Sequence, residues 1–142
     1  MQKELGPNRR PLLIAIDGLD GVGKSSLASW LGWQLEMPSL HLDVYLVRDS
    51  KPQQWRTDDL ERAIRSRLDL GRPVIVEGVL LLDVLEQIGR SPEFLIYIQR
   101  EDENEDRDIS DFHKSLIDYR LRRKPEQRGN FILPAAMITW CP

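Results

Sequence analysis

LLIAIDGLDGVGKSS, residues Leu12 to Ser26, is the stretch from which the rest of the chain can be read. Leu12, Leu13, Ile14, Ala15 and Ile16 form an unbroken apolar run between Pro11 and Asp17-Gly18, the pattern of a short strand covered on both faces. Downstream, Leu27, Ala28, Leu31 and Leu35 recur at helical spacing, which predicts a helix from about Lys24 to Glu36. Pro38 halts it, because the residue before a proline is pushed out of the helical region. Gly18, Gly21 and Gly23 fill the junction. The segment is a buried strand, a glycine-rich turn and the start of a helix.

That junction satisfies GxxxxGK(S/T) through Gly18, Gly23, Lys24 and Ser25, in the strand-then-helix context the motif requires. Glycines let successive backbone amides face one anion, and the helix adds the positive end of its dipole. The candidate phosphate-binding residues are therefore Gly18, Asp20, Gly21, Val22, Gly23, Lys24, Ser25 and Ser26, although Asp20 also suits an exposed loop position. Lys24 would bridge the outer two phosphates and Ser25 would place its hydroxyl on Mg²⁺. The expected ligand is a purine nucleoside triphosphate with its metal, MgATP. No asparagine-lysine-x-aspartate segment is present to select guanine.

Working outward, Leu40 to Leu46 reads as a second strand. A helix follows from about Asp58 to Leu70, with Leu60, Ala63, Ile64, Arg67 and Leu68 on one stripe. Thr57 is its predicted cap, Asp58 and Asp59 suit its positive end, and Gly71 and Pro73 supply the stop. Val74 to Val76 predicts a third strand, and Leu81, Leu82, Leu85 and Ile88 a short helix ending at Gly89. Phe94 to Ile98 predicts a fourth strand, Ser110 to about Arg123 a last helix, and Phe131 to Leu133 a final strand. Alternating strands and helices argue for an α/β fold, a parallel sheet with helices on both faces. Ligands on such sheets sit at the carboxyl ends of the strands.

That rule singles out the acidic residues after the second and third strands. Glu77, following Val74-Ile75-Val76, fits the residue that organises the magnesium shell, with an exposed strand end as its other reading. Asp43 belongs on the same sheet edge as Lys24 and is the candidate base for a substrate hydroxyl, or else a turn aspartate. His41 reads as a core histidine. Tyr45, Arg48 and Trp55 suit either contact with an aromatic ring or surface packing.

With 142 residues, 41% of them hydrophobic, one domain over 1–142 is expected. A net charge of −3 gives no general attraction to nucleic acid or anionic membrane. No apolar run approaches the ~20 residues of a membrane span. The first ten residues lack a signal-peptide core, and the lone Cys141 has no partner for an internal disulfide. The expectation is a cytoplasmic protein; the sequence carries no information on oligomeric state.

IAIDGLDGVGKSSLASWL (14–31), HLDVYL (41–46) and VIVEGVLLL (74–82), in this order, resemble the P-loop nucleoside kinases of the uridine kinase group. The likeness runs from about Leu12 to Leu82 and continues less specifically through EFLIYIQR (93–100). It implies a three-layer P-loop NTPase fold with a five-stranded parallel sheet in the order 2-3-1-4-5. It also implies ATP-dependent phosphorylation of a nucleoside, uridine- or cytidine-like, or a similar hydroxyl compound, with Asp43 matching the substrate-activating aspartate. The partner expected is thus a small-molecule acceptor, with no nucleic acid and no membrane.

The chain also departs from that pattern. The family commonly carries a second aspartate where this chain has Val44, and an arginine-rich lid where this chain has Glu101, Asp102, Glu103, Glu105, Asp106, Asp108 and Asp111 around Arg107. An acidic lid repels triphosphate, and such a run is ordinarily a solvated loop. Cations return in Arg120, Arg122, Arg123, Lys124 and Arg128. Helical spacing sets Arg122 apart from Arg120 and Arg123, which makes Arg120 or Arg123 the candidate to reach phosphate. By analogy with related kinases, Lys124 to Leu133 would pass near the adenine. The alternatives to a nucleoside kinase are a kinase for another small metabolite, or a nucleotide-binding or slow ATPase module without efficient phosphoryl transfer.

Overall fold

A computed structural model describes residues 10–101 and 110–138. Most of the acidic stretch, Asp102 to Asp108 with Arg107, lies outside the described residues, as does Cys141. The strands are β1 (Leu13–Gly18), β2 (Ser39–His41), β3 (Val74–Gly78), β4 (Phe94–Gln99) and β5 (Phe131–Pro134). The helices are α1 (Lys24–Leu35), α2 (Thr57–Leu68), α3 (Leu81–Gln87), α4 (Asp111–Arg123) and the single turn α5 (Pro125–Arg128). Short 3₁₀ turns cover Leu42–Tyr45 and Ala135–Ile138. The strands form one parallel sheet in the order β2-β3-β1-β4-β5.

The alternation of side chains along β1 divides the core in two. Leu13 and Ala15 point to one face, where they join Val74, Val76 and Leu95, with Leu60 and Ile64 of α2, Leu81 and Leu85 of α3, and Tyr119 of α4. Ile14 and Ile16 point to the other, with Ile75, Ile96 and Ile98 against Leu27, Ala28 and Leu31 of α1. All six β1 residues are buried, so the central strand has no solvent face. Each Leu or Ile so enclosed contributes about 1.5–3 kcal/mol over an exposed one, which fixes the register that sets out the carboxyl edge of the sheet.

Several boundaries differ from the sequence expectations, each for a local reason. α1 stops at Leu35 because Glu36 takes the left-handed conformation at φ 51° and the Met37 amide turns back to the Gly32 carbonyl at 2.9 Å. α2 starts at Thr57 itself: the Arg56 carbonyl already accepts the first helical bond from Leu60 at 3.2 Å, and no side chain caps the helix. It ends at Leu68, where Gly71 at φ 68° lets the Arg72 amide reach the Arg67 carbonyl at 3.1 Å. The second strand is the largest correction. It pairs only over Ser39–His41, after which Leu42 buries completely against Gly78 and the chain curls into a 3₁₀ turn. A Cβ on Gly78 would lie 2.5 Å from that of Leu42, so glycine is what lets the turn sit there. Asp43 is carried by this turn and not by a strand.

Candidate active site

The loop Leu19–Gly23 leaves the end of β1 and enters α1, with Gly21 at φ 73° and Gly23 at φ 97°, backbone angles that favour glycine. No side chain caps the amino end of α1 and no acidic residue lies in its first turn. The amides of its first turn and the positive end of its dipole thus meet no side-chain acceptor of their own, a setting that suits an anion. Gly21 faces open space, whereas a Cβ on Gly23 would meet Ile138 Cγ2 at 2.8 Å, so the 3₁₀ turn after β5 backs the loop. Val22 anchors it, 5% exposed among the core residues, and Gly18 is buried at the end of β1; neither lines the cleft in front of the loop.

Lys24, the first residue of α1, folds back over this loop, and its Nζ donates to the Leu19 carbonyl at 2.6 Å. It is 7% exposed. Burial pushes its ammonium below the usual lysine range, while the carboxylates of Glu77, Asp17, Asp20 and Asp43 pull it back up. Ser25, one residue on, donates its hydroxyl to Glu77 Oε1 at 2.9 Å. The same oxygen lies 2.8 Å from His41 Nδ1. His41 is thus not the core histidine expected; its ring is 32% exposed and reaches across from β2 to Glu77.

Lys24, Ser25 and Glu77 line one cleft of about 570 Å³. Asp20, Gly21, Gly23, Lys24, Ser25 and Ser26 come from the loop, Asp43 from the 3₁₀ turn and Glu77 from β3, with an apolar wall of Leu46, Val79 and Phe112. Tyr45 and Trp55 pack against the core instead of lining the cleft. Arg120 and Arg123, the cations expected to reach phosphate, do not line it either. Arg123 donates through Nε to Asp83 Oδ1 at 2.6 Å and through Nη2 to Glu86. Arg122 reaches Asp83 as well, at 3.0 and 2.8 Å. Arg120 Nε faces Glu126 at 4.0 Å. Asp83 and Glu86 are three apart on α3 and face the end of α4, where they supply the counter-charges of Arg122 and Arg123.

The sequence reading missed one buried pair altogether. Asp17, 1% exposed, accepts the Gly18 amide at 2.8 Å and the Tyr119 hydroxyl at 2.5 Å. Tyr119 accepts the Leu82 amide at 3.0 Å in turn, so a single hydroxyl joins β1, α3 and α4 behind the loop. Burial raises the Asp17 carboxyl from 3.8 to about 7, against the opposing pull of those hydrogen bonds and Lys24. Burial and the neighbouring Asp17 charge raise the Tyr119 phenol too.

The donor set fits a magnesium nucleotide. Uncapped amides and Lys24 suit phosphate oxygens, while Ser25 and Glu77 suit a hard cation that keeps most of its ligands as water and phosphate. Among the described residues no cluster of three or more His, Cys, Asp and Glu could hold a metal ion.

No family model matches the sequence, and no curated protein matches it by sequence. Solved structures do match. A possible uridine kinase from Bacillus stearothermophilus aligns over 90% of this chain and 91% of its own, at 17% identity and a TM-score of 0.66. A gluconokinase from Sinorhizobium meliloti 1021 aligns over 92% and 89% (20% identity, TM-score 0.52), and a thymidylate kinase from Candida albicans over 88% and 83% (15%, 0.51). At such identities the likeness is one of fold, and the strand order β2-β3-β1-β4-β5 with helices on both faces agrees with it: this chain has the P-loop kinase fold.

Proposed function

We propose that the chain is an ATP-dependent small-molecule kinase whose acceptor is an uncharged hydroxyl compound, a uridine- or cytidine-like nucleoside being the preferred class. The observation that carries this reading is the convergence of Lys24, Ser25, Glu77 and Asp43 on one cleft at the carboxyl ends of β1, β2 and β3. Loop amides and Lys24 hold the phosphates of ATP and offset the charge that develops as its terminal phosphoryl group passes to the acceptor oxygen and ADP departs. Asp43, exposed at the rim, orients the acceptor hydroxyl and takes its proton as the new phosphate ester forms. Magnesium, when bound near Ser25 and Glu77, supplies further neutralisation of the phosphate oxygens.

The charge balance supports an uncharged acceptor. Asp20, Asp43 and Glu77 face a single lysine among the described residues that line the cleft, a setting that disfavours a sugar acid or a nucleoside monophosphate. The engagement of Arg120, Arg122 and Arg123 with carboxylates favours one second reading, a nucleotide-binding or slow ATPase module. The experiment that separates them follows ADP formation from MgATP with and without each member of a panel of nucleosides, neutral sugars and gluconate. Turnover that depends on a neutral acceptor supports the kinase; turnover indifferent to every acceptor removes it in favour of the second reading.

A further inference from the structure

His41 and Glu77 are register partners on the adjacent parallel strands β2 and β3, so their side chains emerge on the same face, side by side. Glu77 has a side chain only 3% exposed and has given up nearly all its water. Its Oε1 receives two donors, the Ser25 hydroxyl at 2.9 Å and His41 Nδ1 at 2.8 Å. The tautomer follows from the chemistry: a bare Nδ1 would set a lone pair against a carboxylate oxygen, so Nδ1 carries the hydrogen. Oε2 has no hydrogen-bond partner among the described residues and belongs to the carboxylate that lines the cleft.

We propose that His41 is a positioning residue for the magnesium ion. By donating to Oε1, it fixes the carboxylate plane and leaves Oε2 as the oxygen that meets the metal or its water. The Ser25 hydroxyl donates its hydrogen to the same oxygen, so serine and histidine together would set the glutamate for the cation that Ser25 and Glu77 would hold. Outer-shell donors of this kind are commonly worth 10- to 100-fold in metal affinity. Without His41, the carboxylate keeps one tether and rotates about its terminal bond.

This inference rests on the nucleotide-site reading above, and the test keeps the two apart. ADP-dependent thermal stabilisation is measured at fixed pH, first in EDTA and then across a magnesium titration, for wild type, His41→Leu, His41→Val and His41→Asn. His41→Val suits an edge strand and is a second donor-free variant should the leucine variant not fold. Asparagine keeps an N–H in the place of Nδ1. The expected result is unchanged ADP stabilisation in EDTA for all four. In the titration, the magnesium midpoint rises by about tenfold in the donor-free variants and returns to the wild-type value in His41→Asn. A wild-type midpoint in the donor-free variants, or an asparagine variant as impaired as they are, overturns the role of His41. Failure of the wild type to bind ADP overturns the site reading instead.

Discussion

Asp17→Asn isolates the buried carboxyl behind the loop. Asp17 is 1% exposed and its carboxyl is raised from 3.8 to about 7, so the folded chain keeps a proton that the unfolded chain has released over that whole interval. Where the folded state binds more protons, stability falls as pH rises. The protonated form is favoured at the acid end, the loss accumulates through the interval, and above the folded value the curve flattens. At 1.36 kcal/mol per unit, the shift amounts to about 4 kcal/mol between pH 4 and pH 7. For a chain of this size, that is a Tm change of about 10 °C. Asparagine has no proton to lose and resembles the neutral acid in shape. The assay is Tm by circular dichroism from pH 4.5 to pH 8 for both proteins, reported as the difference. Asp83, Glu61 and Glu86, whose carboxyls are lowered by their arginine partners, lose stabilising charge only on the acid side and do so equally in both, so they cancel. The variant is expected to gain on the wild type steadily with pH and to level off above neutrality. Parallel curves, or a variant that loses ground as pH rises, would refute the reasoning.

Two further predictions concern the acceptor side. Gly78→Ala places a Cβ at 2.5 Å from that of Leu42, so the turn carrying Asp43 must shift. The expected loss is about 1–3 kcal/mol in urea unfolding, with acceptor-dependent turnover reduced more than ADP binding; an unaltered stability would show that the turn is not seated on Gly78. Asp43→Asn leaves ATP binding near wild type in calorimetry and abolishes acceptor-dependent transfer, and equal transfer rates would remove its role as base.

The strand, loop and helix of Leu13–Leu35 were legible because one short run encodes both cores: odd and even positions of β1 serve opposite faces, and α1 follows with its own stripe. Lys24 and Ser25 were singled out by the glycine motif, and Asp43 and Glu77 by their places at strand ends, where a parallel sheet gathers its ligands; the structure brings the four to one cleft. The strand order came only through the family resemblance, since periodicity does not say which strand lies beside which. Hence the pairings that depend on order were hidden. His41 meets Glu77 only because β2 lies beside β3 in a particular register, and Tyr119 finds Asp17 from 102 residues away. The partners of Arg123 were hidden for the same reason: Asp83 and Glu86 sit on a helix whose packing against α4 no local pattern specifies.

The account rests on loop amides and Lys24 converging on the phosphates of a nucleotide. The most direct test is calorimetric titration of ATP with magnesium into wild type and Lys24→Ala, with circular dichroism to establish that both are folded. Saturable binding near one equivalent in the wild type, lost or strongly weakened in the variant, is the predicted result. Equal affinity in the two folded proteins, or no binding to the wild type, would contradict it.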